Sequence, residues 1–102
     1  APLRPGDGGE AFRAAMNQHI LPAIDRFTPD LIMISAGFDA HVRDPLAQLE
    51  LDETDFSWIT ERLMVLADHH CQRRIVSVLE GGYDLAGLTG SVHAHLRALN
   101  QE

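Results

Sequence analysis

Only one cysteine, Cys71, occurs in the 102 residues. No disulfide can form within the chain, and no cysteine cluster can hold a metal. A lone thiol fits a reducing compartment, and a cytoplasmic location is the expectation. Basic residues are also few, 8 against 15 acidic ones, for a formal net charge of -7. That balance argues against a basic nucleic-acid grip and against a polybasic membrane surface in this stretch. No apolar run approaches membrane-spanning length. Ala1 to Asp7 carries no apolar signal core, so nothing suggests secretion. The chain does not begin with Met, which suggests processing or a piece of a longer protein. What is present is ordinary for a globular chain: 45% hydrophobic residues, in a length that suits one domain or part of one.

Pro2, Pro5, Gly6, Gly8 and Gly9 make the opening segment a loop. From about Glu10, Phe12, Met16, Ile20, Ile24 and Phe27 recur at helical spacing, with Ala15 and Ala23 on the same face. Pro22 inside that pattern predicts a kink or break, and Thr28-Pro29-Asp30 ends the helix. Leu31 to Ser35 is short, apolar on both faces and bounded by turn signals, which predicts a strand covered on both sides. Residues 46–53 read as an ordered loop tacked down by Leu46, Leu49 and Leu51. A helix is expected from about Asp55 to Gln72, N-capped by Thr54, with Phe56, Ile59, Leu63, Leu66 and His70 as its stripe and Trp58 beside it. Ile75 to Leu79 is a second continuously apolar strand. Asp84 can cap a last helix with Leu85, Leu88, Val92, Leu96 and Leu99 inward, and His93 or His95 outward.

The order is helix, strand, helix, strand, helix, so the fold class is α/β with two parallel strands and a right-handed crossover. Ligands of open parallel sheets bind beyond the carboxyl ends of the strands. Two glycine-containing loops leave those ends: Ser35-Ala36-Gly37-Phe38-Asp39-Ala40-His41 and Glu80-Gly81-Gly82-Tyr83-Asp84. Neighbouring strands lie roughly 5 Å apart, and a single intervening strand makes that about 10 Å, so Asp39 and Tyr83 can address one small ligand either way. Asp39, just past a buried strand, is either a loop cap or a metal ligand. His41 either shares that metal or is satisfied by backbone groups. Tyr83 either packs or presents a phenol to developing negative charge. Phosphate binding by Gly81-Gly82 is weakly supported, without a G-x-G-x-x-G or a P-loop lysine. His19, His69, His70, His93 and His95 form no metal-spaced motif and read as packing or surface residues. Cys71 reads as structural.

Leu31-Ile32-Met33-Ile34-Ser35-Ala36-Gly37-Phe38-Asp39-Ala40-His41, then Asp44-Pro45-Leu46, then Leu79-Glu80-Gly81-Gly82-Tyr83-Asp84-Leu85 resembles the histone deacetylase family, in its class II-like and acetylpolyamine amidohydrolase branch. The resemblance covers essentially the whole chain. It implies an arginase/deacetylase-like α/β fold with a multi-stranded parallel sheet, and zinc-dependent removal of acetyl from acetyl-lysine or an acetylpolyamine. By resemblance, Asp39 matches a zinc ligand, Tyr83 the tyrosine that bonds the acetyl carbonyl, and Gly81 and Gly82 the glycines beside the substrate tunnel. His41 matches no ligand.

The family's tandem His-His pair and its separate Asp-x-His pair have no match in these residues. Only one of three expected Zn2+ ligands is present. Residues 1–102 therefore read as the C-terminal segment of a deacetylase-like catalytic domain, which needs an N-terminal part and is inactive in isolation. The alternative is a non-catalytic remnant or interaction module of the same fold. A thin two-stranded sheet also predicts weak stability for the segment alone.

Overall fold

The computed structural model describes residues 1–44 and 49–100. The first helical run comprises α1 (Gly9–Ala15), one π-helical turn over Met16–Ile20, and α2 (Leu21–Phe27). Pro22 does not break the run. A proline at this point cannot donate to the carbonyl one turn back, and its ring crowds that turn. The wider π turn lies immediately before it, and Pro22 then occupies the first turn of α2, where no amide is needed. Strand β1 (Ile32–Ala36) starts one residue later than the apolar run suggested. After α3 (Glu53–Cys71), strand β2 (Ile75–Leu79) falls where the sequence placed it, and α4 (Leu85–Leu99) follows Asp84, whose carboxylate accepts the Gly87 amide.

The helix α3 is capped by Asp52 rather than by Thr54. The Asp52 carboxylate accepts from the Thr54 and Asp55 amides, and the Asp55 side chain accepts from the Asp52 amide, a closed capping box. The Thr54 hydroxyl, the largest influence, and those amides hold the Asp52 carboxyl below its usual range. At the other end the helix stops at Cys71, with Gln72 and Arg73 left-handed at φ 55° and 63°. The Arg73 amide returns to the Ala67 carbonyl at 2.9 Å, closing the last turn.

The strands β1 and β2 are adjacent and parallel, with Ile32 opposite Ile75 and Ala36 opposite Leu79. One sheet face is covered: Ile32 packs with Ala67 and Cys71 of α3, while Ala36 packs with Phe38, Leu51 and Phe56. The expectation of cover on both faces is corrected for the described residues. Met33 is 68% exposed and Val76 44% exposed, so the second face is bare. Of the three loop leucines, Leu51 is buried, Leu49 is half-buried and Leu46 lies outside the described residues. Trp58 does pack against a neighbour, edge-on to Phe12 and under the Arg13 guanidinium.

The helix stripes are rotated from those expected. Leu85 is 79% exposed, Leu96 and Phe27 also face outward, and the buried positions of α4 are Gly87, Ser91, His95 and Ala98. In α3 they are Asp55, Phe56, Thr60, Met64, Ala67 and Cys71. Small or hydrogen-bonded residues let α3 and α4 approach closely, and the large apolar residues flank the contact.

His95, expected as a possible outward residue of α4, is therefore buried. The Thr60 hydroxyl donates to the Phe56 carbonyl at 2.7 Å, so its oxygen must accept the His95 Nδ1–H at 2.8 Å. His95 Nε2 then accepts from the Ser77 hydroxyl at 2.8 Å. This neutral imidazole ties α3, α4 and β2 together. Burial pushes its pKa below the ordinary value. The folded state thus resists a proton that the unfolded chain accepts below about pH 6.5. The stability contribution is complete above that pH and is lost as pH falls toward the folded pKa, with a slope of at most about 1.4 kcal/mol per pH unit. Denaturant midpoints of the intact protein at pH 7.5 and 5 should differ more for the wild type than for His95→Gln; equal differences would exclude this role.

Candidate functional site at the strand ends

The pairing of β1 with β2 continues past their last residues. The Glu80 amide donates to the Ala36 carbonyl at 2.9 Å, and the Phe38 amide donates to the Gly81 carbonyl at 2.9 Å. Those two bonds lay the glycine-containing loops side by side, as the parallel topology requires. Asp39 sits against Gly81: a Cβ at Gly81 would meet the Asp39 carboxyl carbon at 3.3 Å, and one at Gly37 would meet Oδ1 at 3.2 Å. Side chains at either glycine would crowd this carboxylate.

Asp39 is half-buried, and its carboxylate has no hydrogen-bond or ion-pair partner among the described residues. It does not cap its own loop. A partly buried carboxylate with unused lone pairs suits a metal, whose charge would offset its desolvation. As a free oxygen donor, this carboxylate is compatible with the expected zinc.

His41, the other candidate in that loop, turns away and is buried. Its Nδ1 accepts the Arg43 amide at 3.1 Å, so Nε2 carries the proton and donates to Glu53 Oε1 at 3.0 Å. With both nitrogens engaged, an Asp39–His41 chelate is excluded. The Glu53 carboxyl is held below its usual range, first by its own backbone amide at the start of α3 and then by His41. The loop is further fixed by the Leu51 segment, whose amide donates to the Ala40 carbonyl and whose carbonyl accepts from Val42.

In the second loop Gly82 has φ 133°, a conformation that L side chains rarely adopt, and a Cβ there would meet Leu88 at 2.9 Å. Tyr83, the next residue, is 65% exposed beyond the strand ends instead of packed. Its backbone is held by Asp44: the Tyr83 amide donates to Asp44 Oδ2 at 2.9 Å, and Asp44 is only 4% exposed. The sequence marks Asp44 only as part of the Asp44-Pro45-Leu46 motif, with no role of its own. The only signal was an acidic residue shortly after the Asp39 loop, because its partner lies 39 residues away.

Among the described residues, no helix is long and apolar enough to cross a membrane. A family model described as a histone deacetylase domain matches residues 1–99. The chain is 44% identical over 97 residues to "Histone deacetylase 10, chloroplastic" of Oryza sativa, covering 95% of this chain and 22% of that relative. It is also 44% identical over 85 residues to a "Histone deacetylase-like amidohydrolase" of Pseudomonas aeruginosa, covering 83% of this chain and 22% of the relative. The solved structure of the histone deacetylase Clr3 superposes with a TM-score of 0.87 at 32% identity, over 94% of this chain and 16% of that one. The HDA15 HD domain gives 0.85 at 33% identity, over 94% and 26%. The chain spans less than a quarter of the length of these curated relatives. The motif-based resemblance and the α/β fold class are thus both supported, and the chain belongs to the histone deacetylase family.

Proposed function

We propose that residues 1–102 form the C-terminal segment of the catalytic domain of a zinc-dependent amidohydrolase that removes acetyl from acetyl-lysine or an acetylpolyamine. The observation that carries this reading is the unpartnered Asp39 carboxylate lying against Gly81, two residues before the exposed Tyr83. Asp39 is one zinc ligand. The other two, an Asp-x-His pair, and the tandem His-His pair that moves protons, belong to a preceding part of the protein. Zinc, when bound, polarises a carbonyl and activates water.

Within this chain, Asp39 contributes one negative charge and one oxygen to the metal. Tyr83 donates its phenolic O–H to the oxyanion that develops on the acetyl carbonyl, where a positioned donor is worth most. Asp44 acts through Tyr83 by holding its amide, so the glycine-rich loop does not swing. Gly81 and Gly82 leave one wall of the substrate tunnel free of side chains. The partners are an acetylated amine and the preceding part of the domain, with no nucleic acid or membrane bound directly. The reading includes a cytoplasmic location.

The test is hydrolysis by the intact protein of an acetyl-lysine peptide and of an acetylated polyamine, before and after chelation. Release of acetate from at least one, lost on chelation and restored by zinc, is the expected result. A zinc-loaded protein that hydrolyses neither would leave the non-catalytic module as the better reading.

A further inference from the structure

Asp25, His69 and His70 converge far from the Asp39 loop. The helix α3 leaves the carboxyl end of β1 and delivers the chain to the start of β2, so it runs against the strands. Its 19 residues span about 28 Å. His69 and His70 lie in its last turn, at the opposite end of the sheet from Asp39 and Tyr83. Consecutive residues on a helix point roughly 100° apart, so the His-His pair alone is a poor chelate. Asp25 of α2 changes that. Its Oδ1 lies 2.8 Å from His70 Nε2. The two imidazoles meet edge to face with centroids 4.6 Å apart. One ligand atom from each of the three residues lies within 4.8 Å of the others.

We propose that Asp25, His69 and His70 form a second divalent transition-metal site that clips α2 to α3. Tetrahedral zinc with bonds of about 2.0–2.2 Å holds its ligand atoms roughly 3.3–3.6 Å apart. Closing the widest gap therefore takes roughly 1.5 Å of movement at most. His69 and Asp25 are exposed, and the largely buried His70 is already oriented by its bond to Asp25. Two imidazoles and a carboxylate form a nitrogen and oxygen donor set that suits zinc, nickel or cobalt and disfavours calcium and magnesium. A single negative charge faces the divalent ion, and water completes the coordination. The site joins two helices at the end of the sheet away from the proposed chemistry, so its role is structural. The sequence spacing gave no hint of it because Asp25 is 45 residues from His70.

The test uses the intact protein and zinc alone, with bound metal counted by competition against a chromophoric indicator and with thermal midpoints recorded. The wild type should take up one equivalent of zinc beyond that held by Asp39 and its partners, and its midpoint should rise with added zinc. Asp25→Asn, His69→Ala and His70→Ala should each remove the extra equivalent and the rise. Because Asp25 and His69 are exposed, their variants report even if His70→Ala fails to fold. Equal zinc uptake by wild type and by the Asp25→Asn, His69→Ala double variant would overturn the proposal. None of these readouts depends on hydrolysis, so the deacetylase reading stands or falls separately.

Discussion

Replacing Tyr83 with phenylalanine in the intact protein is expected to lower turnover by about a hundred- to a thousandfold, the typical cost of losing one oxyanion donor. The substitution removes a single oxygen from a residue that is 65% exposed, so little packing is lost. The backbone bond from the Tyr83 amide to Asp44 is unaffected, and the loop keeps its shape. Bound zinc should hold, because Tyr83 is not a ligand in the proposed site. A donor that acts only in the transition state lowers kcat and kcat/KM together. A rise in KM alone would instead identify Tyr83 as a substrate-binding residue, and unchanged turnover would remove it from the chemistry. Asp44 offers an internal check. If it acts by holding Tyr83, then Asp44→Ala should cost much activity in the wild type and little in the Tyr83→Phe background.

Asp39→Ala should abolish hydrolysis and release most of the bound zinc. Outer-shell partners of a metal ligand typically cost about 10- to 100-fold in affinity when removed, and a direct ligand should cost more. The Asp39 carboxylate has no other partner among the described residues, so its removal breaks no hydrogen bond there. The fold should persist, and an unchanged circular dichroism spectrum checks that it does. Metal analysis after gel filtration reads the outcome, and a full zinc complement in the variant would exclude Asp39 as a ligand. The two variants divide the site: one loses rate and keeps metal, the other loses both.

The same contrast runs through the fold. The strand β2, the Asp84 cap and the loop beginning at Glu80 stand where the sequence put them. The helix faces do not. Hydrophobic periodicity marked Leu85 and Leu96 as inward, yet Ser91 and His95 take the buried positions. Periodicity locates the apolar stripe, whereas close helix approach selects small residues at its centre. For α3, a threonine looked like the cap, but the aspartate two residues earlier had a reciprocal partner in Asp55. The spacing of His41 from Asp39 allows a metal or a backbone partner, and its bonds to Glu53 and to the Arg43 amide decide between them.

What the sequence determined by itself is local. Short, largely apolar runs made strands, glycines made the loops after them, and a carboxylate before a helical pattern made a cap. The motifs in those loops were enough to indicate the family. What only the tertiary structure decided involves residues far apart in the chain. It joined Asp44 to Tyr83 across 39 residues and His70 to Asp25 across 45, and it turned His95 inward onto Thr60 and Ser77. The physical reason is the parallel pairing of β1 with β2. That pairing makes the chain cross over through α3, carrying distant side chains into contact at both ends of the sheet, and no spacing along the sequence encodes those distances.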